Sequence, residues 1–257
     1  MEDAQKNEET PADAPVNTSL NANSKRVKKH LENVNEIRII YIMSFNPHEL
    51  QTGDLILCDD LEYKDWGLFS WFIKFMTQSD FSHIAMIVKD PEFTNPPMKG
   101  TYVWMSGTSN VPDPEDNKMK FGVQFVPFDE YVKTYGGKLY LRKLHCWKHY
   151  ELFTTERLKK IHDAVYDKPY DIVISDWIEA YCKKDPHPQK TNRFVCSAFV
   201  GYIYTQLTLL PEDTDWSILY PGYFSSENPA LRLRHDSNLS REVCITHKYI
   251  CTSYITP

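Results

Sequence analysis

Five short apolar runs crowd between residues 55 and 144: "LILC" at 55–58, "HIAMIV" at 83–88, "TYVWMS" at 101–106, "GVQFVPF" at 122–128 and "KLYLRKL" at 138–144. They are rich in β-branched and aromatic residues and bounded by turn-forming stretches such as "NPPMKG" and "NVPDPEDN". Such runs are too short for helices and read as strands, mostly buried on both faces. After Trp147 the rhythm changes to helical spacing, over 154–166, 172–181 and most strongly 196–209. An earlier helix is predicted where Trp66, Phe69, Ile73 and Met76 recur at helical intervals. A block of strands followed by a block of helices defines an α+β fold class.

Residues 1–24 carry almost no large apolar side chains, so they cannot bury enough surface to offset ordering entropy and read as a disordered acidic tail. Residues 25–49 form a lead-in helix or linker, and 50–225 the domain proper. Within it, "PEDTDWSILYPGYFSS" reads as an ordered loop packed by its aromatics. The remainder, 226–257, is an extension packed on the domain, with a late strand within 243–255.

A formal charge of −6 argues against a nucleic-acid binder, which needs a basic face. The one basic cluster, Lys25, Arg26, Lys28 and Lys29, reads as a solvated helix face. Six cysteines without a CxxC pair, and a polar rather than apolar stretch over 1–26, point to free thiols in a reducing, cytoplasmic setting. The longest apolar stretch, "WGLFSWFIKFM", has 11 residues and contains Lys74, too short to span a bilayer. The expectation is a soluble protein, with peripheral membrane contact left open.

Two residues stand out chemically. Cys196, in "NRFVCSAFVGYIYTQLTLL", falls in the first turn of the strongest helix, with Asn192 as a candidate cap. A helix N-terminus stabilises a thiolate, and its amides can contribute to an oxyanion hole. His83 opens the second strand, where its ring can face a helix terminus and deprotonate a thiol. Read singly, each is more often a core residue. His30, His145, His149 and His187 sit in less promising settings, and no HxxH, HExxH or CxxC spacing suggests a metal. Neither metal nor cofactor is expected.

The ordered set "TGDLILC", "SWFIKFMTQSDFSHIAMIV", "YVWMSG" with "FGVQFVPFDEYV", "KPYD" and "FVCSAFVGYIYTQLTLL" resembles the NlpC-type papain-fold superfamily. It is similar to the circularly permuted branch, in which the histidine strand precedes the cysteine helix, and which includes YiiX-like proteins, lecithin:retinol acyltransferase relatives and a poxvirus group. The resemblance spans roughly residues 50–225. It implies a permuted papain-like fold, a central antiparallel sheet or half-barrel packed on helices, with Cys196 as nucleophile and His83 as the base that becomes an acid. It implies a third group orienting the imidazole from the next strand, where relatives often carry a glutamate and this chain has Met105. Ser106 or Thr108 is a weak substitute, and Tyr170 of "KPYD" a candidate for lining the site; Gln124 follows the family's pattern and reads as structural.

The resemblance also implies a peptide or acyl-lipid substrate cleaved through an acyl thioester. Trp66, Trp71, Phe75, Phe81 and Trp104 either line an acyl groove or form core. The rival expectation is a weak or inactive papain-like module kept for binding or assembly, virion-associated if the source is a large DNA virus. Oligomeric state is left open.

Overall fold

The computed structural model describes residues 46–59, 79–170 and 194–246. The expected helices at 66–76 and 172–181 lie outside these residues, as do the expected tail and most of the lead-in. Its centre is a six-stranded sheet of β1 (Leu55–Asp59), β2 (His83–Lys89), β3 (Thr101–Thr108), β4 (Phe121–Pro127), β5 (Lys138–Arg142) and β8 (Val243–Cys244), in the order β4-β3-β2-β1-β5-β8. Every neighbouring pair in it is antiparallel. A separate two-stranded ribbon joins β6 (Leu144–His145) to β7 (Asn238–Leu239). Among the described residues the α-helices are α1 (Phe128–Thr134), α2 (His149–Leu152), α3 (Thr155–Val165) and α4 (Cys196–Gln206). The molecule is thus mixed α+β with a mostly antiparallel sheet, and no described helix is long and apolar enough to cross a membrane.

The strands read as continuous apolar runs because both sheet faces are covered. Successive side chains point to opposite faces, and the core divides by that period of two. Leu55, Leu57, Ile84, Met86, Val88 and Trp104 join one cluster, with Phe199 and Ile203 of α4 and Ile161 of α3. Ile56, Cys58, Ala85, Ile87, Val103 and Met105 join the other, closed by Phe128 and Tyr131 of α1. Helix α1 was not expected from the sequence. Its seven residues begin at Phe128, the last residue of an apolar run, and are too few to show a period. The strong helix ends at Gln206, short of 209, where Thr208 turns to φ 59.

The stretch after α4 is built on aromatic packing. Trp216 packs tilted against Phe194 and edge-on to Tyr202 at centroid distances of 5.7 and 5.3 Å, and Phe224 is fully buried. Beyond it the chain is tied back to the sheet by Arg142 of β5. Its Nε donates to Ser240 O at 2.7 Å, Nη2 to Leu239 O at 3.0 Å and Nη1 to Phe224 O.

Candidate functional site

The site arises where β2 and β3 part company. Their register runs from Lys89 with Thr101 to Met86 with Trp104 and stops there, although β3 continues against β4 as far as Thr108. Along β2 the N–H groups alternate between neighbours. Ile87 N–H is bonded to Asp54 O on the β1 side, so Ile84 N–H faces β3. Extending the register would pair Ile84 with Ser106. Instead the first residue of α4 enters the gap, and Ile84 N–H donates to the sulfur of Cys196. The edge of the gap is pinned by the Ser106 hydroxyl, which donates to Phe194 O at 2.7 Å, two residues before the cysteine.

His83, at the start of β2, hydrogen-bonds the same sulfur. Burial alone would push the Cys196 thiol up. The charge and hydrogen bond of His83, with the N–H groups of Ile84 and Ser197, outweigh it and hold the thiol below its ordinary value. The N-cap of α4 is Val195, with no side-chain cap bond, so the helix terminus keeps its amides for the thiolate. Asn192, the expected cap, lies outside the described residues.

The ring of His83 opens onto a cleft of about 260 Å³, bordered by Ser82, Met105, Gly107, Tyr131, Tyr135 and Tyr170 among others. Cys196 is not on that border and is only 1 % exposed. Tyr170 stacks on Phe121 at 4.9 Å on the wall of the cleft. Met105 lies beneath, 1 % exposed, on the face of the sheet that His83 shares.

The structure therefore brings together Cys196, His83 and, on the cleft wall, Tyr170. It does not bring Ser106 to the imidazole. The two-residue period puts Ser106 on the face of Ile84, and its hydroxyl is committed to Phe194 O. Trp104 is not a groove residue either. It is fully buried, stacked on Phe125 at 5.2 Å and edge-on to Phe199 at 5.3 Å. Phe81 packs edge-on to Tyr140 at 5.6 Å, while Trp66, Trp71 and Phe75 lie outside the described residues. His149 bonds Thr52 O at 2.7 Å, remote from this site in the β1 turn. Among the described residues no group of three potential metal ligands converges.

Sequence reasoning missed Cys58, Tyr131 and Gly107. Cys58 pairs with His83 across the β1–β2 register, and its sulfur lies 3.3 Å from the Tyr131 hydroxyl. The only signal for it was its place four residues into the first strand. Comparison of the sequence with protein-family models and with curated proteins finds no match.

Proposed function

We propose that the protein is a cysteine-dependent hydrolase or acyltransferase of the circularly permuted papain-like type, acting on an amide or ester through an acyl thioester. The observation that carries this reading is the hydrogen bond between His83 and a Cys196 thiol held below its ordinary value at a helix N-terminus. The order of histidine strand before cysteine helix, on a mainly antiparallel sheet, supports the permuted fold.

In this reading the Cys196 thiolate attacks the substrate carbonyl carbon, forming a C–S bond and an oxyanion. The first-turn amides of α4 favour that negative charge. The oxyanion collapses, the C–N or C–O bond breaks, and the imidazolium of His83 gives its proton to the leaving amine or alkoxide. Water or an acceptor hydroxyl then attacks the thioester, His83 takes its proton, and the thiolate leaves. Peptide and acyl-lipid substrates both fit this chemistry.

A second reading, a papain-like module kept for binding, is favoured by one observation: Cys196 is buried away from the cleft border. An electrophilic acyl probe, with mass spectrometry of the adduct on the full chain, separates the two. The enzyme reading expects labelling at Cys196 that disappears in Cys196→Ala and falls sharply in His83→Gln. Labelling that persists in Cys196→Ala, or no labelling of the wild-type thiol, rejects it.

A further inference from the structure

We infer that Gly107 is a positioning residue for His83, and that the Gln124 carboxamide holds Gly107 in place; this rests on the catalytic pairing proposed above. A β-carbon built on Gly107 would stand 3.2 Å from His83 Cε1 and 3.9 Å from Nε2. The ring edge therefore lies over the glycine, and a β-carbon there would stand a few tenths of an ångström too close to it. The same β-carbon would meet Met105 Cε at 3.9 Å, so the methionine methyl closes the slot from the side.

Gly107 is not needed for backbone conformation. It lies outside the left-handed region, in a strand, where alanine is the better residue by about 0.5–1 kcal/mol. Its absent side chain thus has no local structural reason, and the imidazole supplies one.

The backbone at this point also lacks its β2 partner, because the β2–β3 ladder ends at Met86 and Trp104. Its place is fixed from the other side. Gly107 pairs with Gly122 of β4, and Gln124 Nε2 donates to Gly107 O at 2.6 Å and to Lys120 O at 3.2 Å. Gln124 is 1 % exposed, and among the described residues its Oε1 has no hydrogen-bond partner. Such a buried orphan acceptor costs on the order of 1–3 kcal/mol, which an apolar residue at this position would avoid. A primary amide kept there despite that cost has its use in the bond to Gly107. Local compromises of this kind collect at functional sites.

The test is the pH profile of Cys196 alkylation by iodoacetamide in the full chain, with thermal unfolding measured in parallel. Gly107→Ala is expected to move the midpoint upward by about one unit, a tenfold loss of thiolate at pH values well below the midpoint, with the melting temperature unchanged or raised. Gln124→Leu moves the midpoint in the same direction by a smaller amount. Steric obstruction of the reagent lowers the plateau rate without moving the midpoint, so it does not mimic the effect. His83→Gln is the reference. If His83→Gln raises the midpoint and neither Gly107→Ala nor Gln124→Leu does, the positioning role is wrong and the pairing stands. If His83→Gln leaves the midpoint in place, the pairing itself fails.

Discussion

Replacing Arg142 by leucine removes one guanidinium from a site that is 4 % exposed. Three backbone carbonyls, of Phe224, Leu239 and Ser240, lose a charged donor at once. Glu242, whose carboxylate lies 3.9 Å from Nε, loses its cation. Part of the loss is recovered because that carboxylate is 15 % exposed and keeps Ser225 Oγ at 3.0 Å and Ser226 N at 2.6 Å. Breaking a buried charged network by deleting one partner costs on the order of 3–5 kcal/mol. In a domain of this size each kcal/mol is worth roughly 2–4 °C, so the melting temperature of Arg142→Leu falls by about 10 °C at pH 7. The pH dependence has a definite sign. Burial pushes the Glu242 carboxyl up, but the Ser226 hydroxyl and amide and the Arg142 charge bring it below its ordinary 4.5. Its contribution is therefore complete above about pH 4.5 and is lost as pH falls through the depressed value. The difference between wild type and variant shrinks over that acid range. Thermal unfolding followed by far-UV circular dichroism is the assay. A shift under about 2 °C at pH 7 would show that Arg142 carries no such network, and would remove the idea that 224–242 is welded into the same cooperative unit as the sheet.

Lys120→Met strands Asp113, which is 1 % exposed and lies 2.8 Å from the ammonium, and loosens Asp116 at 3.0 Å; a loss of about 3 kcal/mol is expected at pH 7. Burial pushes Asp116 up, but Lys120, the Lys118 amide and Tyr166 hold it below 3.8, so its contribution is present above about pH 3.8 and lost below. The melting gap between wild type and variant should narrow by pH 3. Ser106→Ala leaves Phe194 O unpaired and costs about 1–2 kcal/mol, while the midpoint of Cys196 alkylation stays where it is. A midpoint moving as far as in His83→Gln would restore Ser106 as a member of the catalytic set.

What the sequence could and could not show follows from the range of each interaction. The strands at 55–58, 83–88 and 101–106 were legible because a run buried on both faces leaves an unbroken apolar signature. Cys196 and His83 were legible through their place at the head of such elements. The gap between β2 and β3 was not, because it depends on where a ladder between distant segments stops, and nothing local to Ile84 or Ser106 marks that point. Ser106 was misplaced for a related reason. Its neighbour Met105 shares the His83 face, and the strand's alternation turns the hydroxyl away. Gly107 resembles any glycine at a strand end until the imidazole is seen lying over it. Helix α1 brings Tyr131 to the cleft and to Cys58, yet its short span gives no periodic signal.

In the proposed mechanism the helix terminus and His83 together ionise the sulfur of Cys196, and thiolate absorbance at 240 nm reads that state without any substrate. Titrating wild type against Cys196→Ser isolates this one thiol. The expected midpoint lies clearly below the ~8.5 of an unperturbed cysteine and rises in His83→Gln. A midpoint at or above that value in the wild type, or one indifferent to His83, would contradict it.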